Sequence, residues 1–149
     1  MKIPDEILLY GQDILASPGM KEARYLPHHH RTCRYRHSVN VARVSLALSR
    51  RFGLTVRPRE MVRGALLHDY YRYDRRKEKR RRHLRSHATM AWENAAADFA
   101  LSPVEADIIR HHMFPINLHP PRYREGILVC LADKIATVGE LLGLSTFVK

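Results

Sequence analysis

The most constraining feature of this sequence is an apolar helical segment that ends in an adjacent imidazole and carboxylate. Residues 64–67 read Gly-Ala-Leu-Leu, and His68 and Asp69 follow directly. Burial penalises both polar groups unless each finds a partner. A divalent transition metal would satisfy both, because it accepts mixed nitrogen and oxygen ligands. The alternative is a helix C-terminus, where His68 favours the helix dipole and Asp69 begins a loop.

Helical periodicity recurs along the chain, and no alternating strand pattern is found. Helices are predicted over about residues 4–16, 35–52, 58–69, 83–100, 102–113 and 122–142. The second of these has an apolar stripe made of Val41, Val44, Leu48 and Phe52. The last helix is apolar nearly all round between residues 127 and 132, which predicts a path through the middle of the domain. The fold class is therefore predicted to be all-α.

The net charge of +11 is concentrated in one segment. Residues 72–85 hold nine arginines and lysines against Asp74 and Glu78. Such a block is most often a solvated loop. The functional alternative is an anion-attracting lip beside His68 and Asp69, suited to phosphate-bearing substrates or to nucleic acid.

Length and cysteine content predict a single-domain cytoplasmic protein. A chain of 149 residues can form one domain with a real core. Its two cysteines are Cys33 and Cys130, and Cys130 lies in an apolar run, so we expect a buried free thiol in a reducing compartment. The N-terminus lacks the apolar region of a signal peptide, and no uncharged apolar run is long enough to span a membrane.

Six polar residues fall on or beside core-facing positions of five predicted helices. They are His37, His68, Asp69, His87, His112 and Asp133. A single histidine on an apolar face is more often a hydrogen-bonded core residue than a ligand. Asp133, inside the apolar last helix, needs a partner if it is buried. One divalent or dinuclear metal centre would explain the whole set.

This ordered set resembles the HD-domain metal-dependent phosphohydrolases, whose signature is a His, a His-Asp pair and a distal Asp. The signature matches His37, His68-Asp69 and Asp133, and the two additional histidines of dinuclear members match His87 and His112. The resemblance covers about residues 25–142. It extends to small uncharacterised bacterial HD-domain proteins through the segments 62–70, 112–115 and 131–134. In those proteins a His precedes the first ligand by eight positions, which matches His29.

The resemblance implies an HD-domain bundle of five to seven helices and a metal-dependent phosphohydrolase. It implies that His37, His68, Asp69 and Asp133 hold one metal, while Asp69 bridges to a second metal held by His87 and His112. Asp69 and His68 are then the catalytic pair, and metal-activated water attacks a nucleotide or another small phosphate ester. Four imidazoles favour Mn²⁺, Fe²⁺ or Zn²⁺, with Mg²⁺ or Ni²⁺ as alternatives. One or two ions are expected to bind.

Substrate contacts and the reaction itself leave alternatives open. His29, Arg72, His83 and Lys134 are the candidates to orient a phosphate or protonate a leaving group. For Lys134 a surface lysine with a packed stem is the alternative. Tyr70-Tyr71-Arg72 departs from the Ile-Gly-Lys of other members, and Ala88 replaces a common proline. The alternative functions are a di-iron oxygenase on the same ligands, or a nucleic-acid-binding module that uses residues 72–85 and a structural metal.

Overall fold

The computed structural model describes residues 2–28, 32–71 and 80–144, except for the side chains of residues 80–85. Within these ranges the chain forms seven helices and no strand, apart from one isolated antiparallel bridge between Pro27 and Cys33. The helices are α1 (Asp5–Ala16), α2 (Pro18–Glu22), α3 (Arg34–Arg51), α4 (Pro58–Leu67), α5 (Arg80–Asp98), α6 (Pro103–His111) and α7 (Arg124–Leu141). The prediction of an all-α fold of five to seven helices is confirmed. None of these helices combines the length and the apolar character needed to cross a membrane.

Local start signals place several helix boundaries where the sequence predicts them. The Ser102 hydroxyl accepts a hydrogen bond from the Glu105 amide at 3.1 Å, and the Glu105 carboxylate accepts one from the Ser102 amide at 3.0 Å. Pro103 occupies the first turn of α6, and Pro58 occupies that of α4. These residues satisfy or remove amide donors that the first turn of a helix leaves unpaired.

Two stretches predicted as irregular are helical. The Ser17-Pro18 segment starts α2 rather than closing the first helix, because the Ser17 hydroxyl accepts from the Met20 amide at 3.3 Å. The helix predicted from about residue 83 begins at Arg80, so the loop prediction for the basic segment is wrong for residues 80–82. Arginine is a good helix former, and neither proline nor glycine interrupts α5. Residues 72–79 lie outside the described ranges.

Two predicted apolar faces are narrower than expected. Phe52 is 62% exposed, because α3 ends at Arg51 and Phe52 caps it. Ile127 and Leu131 are 58% and 44% exposed, so the prediction that α7 is buried all round is wrong. The helix packs against α3, α4 and α6, and Ile127 and Leu131 lie on a side that these helices leave exposed.

Helix α4 lies at the centre of the fold and carries His68 and Asp69 into it. It contacts α1, α3, α6 and α7, and residues 61–71 are all buried. The buried Arg63 side chain binds Glu105 of α6 at 3.0 Å and Asp13 of α1 at 2.7 Å. Gly64 permits a close approach to α6, because a Cβ atom there would lie 2.5 Å from Ile108. The C-terminal end of α4 therefore lies in the middle of the helical bundle.

Candidate metal centre

A buried cluster of imidazoles and carboxylates lies where the ends of α4 and α6 meet α3, α5 and α7. Its members include the six residues singled out in the sequence, namely His37, His68, Asp69, His87, His112 and Asp133. Five of the six are buried, and the Asp133 side chain is 15% exposed. Within overlapping groups of three, one potential ligand atom of each residue lies within 4.8 Å of the others. Residues from five helices therefore converge at distances that suit metal coordination.

The first group of atoms surrounds Asp133. The Nε2 atom of His37 lies 3.0 Å from Asp133 Oδ1, and the Nε2 atom of His68 lies 3.7 Å from the same oxygen. His68 Nε2 is also 3.8 Å from Asp69 Oδ2. Two imidazole nitrogens thus face oxygens of two carboxylates, which is a mixed ligand set for a divalent transition metal.

The second group of atoms surrounds the other oxygen of Asp69. Asp69 Oδ1 lies 3.6 Å from His87 Nε2 and 3.6 Å from His112 Nε2. These two imidazole nitrogens are themselves 3.1 Å apart. The two oxygens of one carboxylate therefore face different groups of imidazoles.

His68 and His112 are held in the same way. Each caps the end of its helix, and each Nδ1 donates to the carbonyl three residues earlier, Ala65 or Ile109, at 2.8 Å. A carbonyl oxygen can only accept, so Nδ1 carries the hydrogen in both rings. In the neutral imidazole this leaves Nε2 with a lone pair, and His68 Nε2 is buried with no hydrogen-bond partner. A metal ion fits this site because it would supply the missing partner.

The ionisation of the cluster is set by competition between burial and close charges. Burial disfavours a charged His37, but hydrogen bonds to Asp133 and Glu140 outweigh it and raise the pKa of His37 to about 10. Burial and the neighbouring imidazoles of His68 and His87 lower the pKa of His112 to about 3. Burial opposes ionisation of Asp69, yet the surrounding histidines hold its pKa well below the usual range. In the metal-free cluster at neutral pH, His37 is therefore a positively charged imidazolium and Asp69 is an ionised carboxylate.

Glu140 supports the cluster from behind His37, and the sequence analysis missed it. Its Oε2 atom accepts a hydrogen bond from His37 Nδ1 at 3.0 Å, and its Oε1 atom accepts one from Asn40 at 3.3 Å. A carboxylate on the far nitrogen fixes the tautomer of a ligating histidine. Glu140 lies seven residues after Asp133, which is two helical turns, so this spacing is the signal that would have found it.

His28 is the second member of the site that the sequence analysis missed. Its ring stacks on His37 with centroids 4.0 Å apart, and its Nδ1 atom lies 3.8 Å from Asp69 Oδ2. The eight-residue spacing of the resembled proteins selects His29 instead, and His29 lies outside the described residues. The run of three histidines at residues 28–30 was the available signal, but it does not single out His28.

The three other candidate substrate contacts, Arg72, His83 and Lys134, stay predictions. Arg72 lies outside the described ranges, and so does the side chain of His83, whose backbone belongs to α5. Lys134 is exposed, and its ammonium group donates to the carbonyls of Cys130 at 3.2 Å and of His112 at 3.5 Å. The lysine thus folds back along α7 and braces the end of α6.

Comparison with known proteins identifies the family. The family model of the HD domain matches residues 34–138, a span that contains all six residues of the two groups. A search among curated proteins finds no match to the chain. The match extends over more than half of the chain and agrees with the helical fold and the His/Asp cluster. The protein therefore belongs to the HD-domain superfamily of metal-dependent phosphohydrolases.

Proposed function

We propose that this protein hydrolyses a nucleotide or another small phosphate ester at a dinuclear metal site. The observation that carries the proposal is the placement of Asp69, whose Oδ2 faces His68 at 3.8 Å while its Oδ1 faces His87 and His112 at 3.6 Å. A carboxylate with an imidazole group on each side is suited to bridge two ions. Such two-metal sites are characteristic of enzymes that cleave phosphate esters.

The proposed ligands divide between the two ions. His37, His68, Asp69 and Asp133 would hold the first, while His87, His112 and the second oxygen of Asp69 would hold the other. When bound, the ions lower the pKa of a water molecule and neutralise charge on a phosphoryl oxygen. The four histidines favour Mn²⁺, Fe²⁺ or Zn²⁺ over Mg²⁺.

The protein's own groups orient the reactants and control protons. Glu140 holds the His37 ring with Nε2 toward Asp133, and the Ala65 carbonyl holds His68 with Nε2 toward the same oxygen. His28 belongs to neither proposed ligand group, although its Nδ1 lies 3.8 Å from Asp69 Oδ2. We assign His28 to the substrate, where it would donate a hydrogen bond to a phosphoryl or leaving-group oxygen.

Metal content and phosphate release test the proposal together. Purified protein should contain two ions per chain and release phosphate from at least one member of a panel of nucleotides and small phosphate esters. His112→Gln should lower the content to one ion and remove most activity, because His112 is a proposed ligand of the second ion. His111→Gln is the matched control, since the adjacent His111 ring bonds Asp107 at 2.8 Å outside the cluster.

The outcomes separate the alternatives. One ion in the wild type and in His112→Gln would replace the dinuclear proposal with a mononuclear one. A stable mixed-valent iron centre without phosphate release from any ester would favour the oxygenase alternative.

Location and domain organisation are part of the proposal. The free thiols of Cys33 and Cys130 support a reducing, cytoplasmic location. We propose a single domain over residues 1–149 and a small phosphorylated molecule as its main partner.

A further inference from the structure

A basic strip lies around the start of α7, outside the proposed ligand groups. It consists of the exposed residues Arg57, Arg110, Arg122 and Arg124 together with the half-buried Tyr123. Two cavities of about 480 and 380 Å³ adjoin here and share Arg122 and Tyr123 as lining residues. Arg124 begins α7 nine residues before Asp133, which corresponds to roughly 13 Å along a helix.

The acidic residues beneath the strip are buried and bound to the backbone. Asp107 Oδ2 accepts from the amides of Arg122 at 2.9 Å and Tyr123 at 3.2 Å. Glu125 Oε1 accepts from the amide of Arg57 at 2.8 Å, and it lies 3.7 Å from the Arg57 guanidinium. Both carboxylates fix the segments that carry the arginines while they remain hidden from solvent, so the surface itself is cationic.

The positive charges of the four arginines in the strip are balanced by few negative groups among the described residues. Among the described residues, Arg122 has no ion-pair partner, and Arg124 donates to the carbonyl of Thr55 at 3.0 Å. Arg57 is 5.9 Å above the Tyr123 ring, and its side chain remains 57% exposed. Arg110 lies over Trp92 at 4.8 Å. Aromatic contacts thus orient guanidinium groups without removing their charge.

We propose that this strip binds single-stranded nucleic acid, with phosphates on the arginines and a base on Tyr123. Cations that alternate with an aromatic ring in a groove are the features by which proteins hold unpaired strands. A duplex keeps its bases stacked and cannot offer one to Tyr123. Two adjoining cavities provide room for successive nucleotides rather than for one isolated anion. The site differs from residues 72–85, and it does not depend on the proposed hydrolase activity.

Binding of a labelled oligonucleotide tests the strip. The probe is a fluorescein-labelled 15-nucleotide oligouridylate, titrated with the metal-containing protein and followed by fluorescence anisotropy at several salt concentrations. The double variant Arg122→Glu/Arg124→Glu should raise Kd at least tenfold at low salt. It should also reduce the slope of log Kd against log salt concentration by about 1.4, because two phosphate contacts are lost and each contributes about 0.7 on a single strand. Tyr123→Leu should raise Kd about fivefold or more, with the slope unchanged, because base stacking is lost while the charges remain.

The control changes the same amount of charge elsewhere. Lys2→Glu/Lys21→Glu alters two exposed lysines near the N-terminus, and it should raise Kd by no more than about twofold through long-range electrostatics. Circular dichroism of every variant confirms that it is folded.

Four results would overturn the proposal. The first is that Lys2→Glu/Lys21→Glu weakens binding as much as Arg122→Glu/Arg124→Glu does, and the second is that the wild type does not bind the oligonucleotide. The third is that uridine monophosphate binds as tightly as the oligomer. The fourth is that Arg80→Glu/Arg81→Glu abolishes binding while Arg122→Glu/Arg124→Glu binds normally. The last result would assign nucleic acid to residues 72–85.

Discussion

The contact between Gly64 of α4 and Ile108 of α6 is expected to control the spacing of the metal centre. A Cβ atom at position 64 would lie 2.5 Å from Ile108 Cδ1 and 2.9 Å from its Cβ and Cγ2. His68 and His112 lie four residues, about one turn, beyond these two positions, and their ring centroids are 4.9 Å apart. Gly64→Ala should therefore push the two helices apart and separate the two histidines.

The expected cost follows from overpacking. Two of the three atoms near the added methyl group lie close to the backbone of α6, so a simple rotamer change cannot relieve the contact. An extra methylene in a tight core destabilises by about 1–3 kcal/mol. For a chain of this length, each 1 kcal/mol lowers Tm by about 2–4 °C. The alanine also improves helix propensity by up to about 1 kcal/mol, so the net loss should fall toward the lower end of that range.

A double-mutant cycle measures the contact. Urea unfolding of metal-free protein should show that Gly64→Ala and Ile108→Val each destabilise, while the double variant loses less than the sum, because valine removes the Cδ1 atom that the new methyl group meets. A chelator competition should show weaker metal binding by Gly64→Ala and partial recovery in the double variant.

Ile7→Val is the matched control for a general loss of stability. Ile7 is fully buried in α1, a helix that contributes no residue to the cluster, so this variant should destabilise by about 0.5–1.5 kcal/mol without weakening metal binding. Strict additivity in the cycle, or unchanged metal affinity in Gly64→Ala, would refute the role of this spacing.

Three further predictions concern protons, substrate and charge. The free energy of unfolding of metal-free protein should fall by about 1.4 kcal/mol per pH unit between pH 7 and 9, because the raised pKa of His37 keeps one more proton bound in the folded state than in the unfolded state. In urea unfolding, Glu140→Gln should make this pH dependence less steep, whereas the exposed control Glu93→Gln should leave it unchanged. His28→Ala should lower kcat at least tenfold with unchanged metal content, and a parallel loss of metal would make His28 a ligand instead. Replacement of Arg80, Arg81 and Arg82 by glutamate should raise KM for an anionic substrate at low salt only, and an unchanged KM would make this segment a bystander.

Local chemistry explains how much of the fold follows from the sequence. The Ser102 capping box, Pro58 and the apolar stripe ending at Leu48 act within one or two helical turns, so their outcome can be predicted without knowledge of the rest of the chain. The six residues of the cluster were also identified from the sequence, because polar groups at core-facing positions are costly unless they share a partner. Glu140 follows the same rule, because it lies two helical turns beyond Asp133.

Other features depend on contacts between distant segments. The position of His28 at the site depends on its stacking against His37 of α3, and no local preference in the sequence predicts this contact. The exposure of Ile127 and Leu131 is decided by which sides of α7 its neighbours leave uncovered. The basic strip unites Arg57 with residues 122–124 through tertiary contacts, in which buried Glu125 binds the amide of Arg57 and Arg124 binds the carbonyl of Thr55. The sequence by itself thus determined six of the seven helices in the described ranges and the residues suited to bind metal, since these follow from periodicity and the cost of burying polar groups. Only the tertiary structure decided which groups face one another, because that depends on packing between residues far apart in the chain.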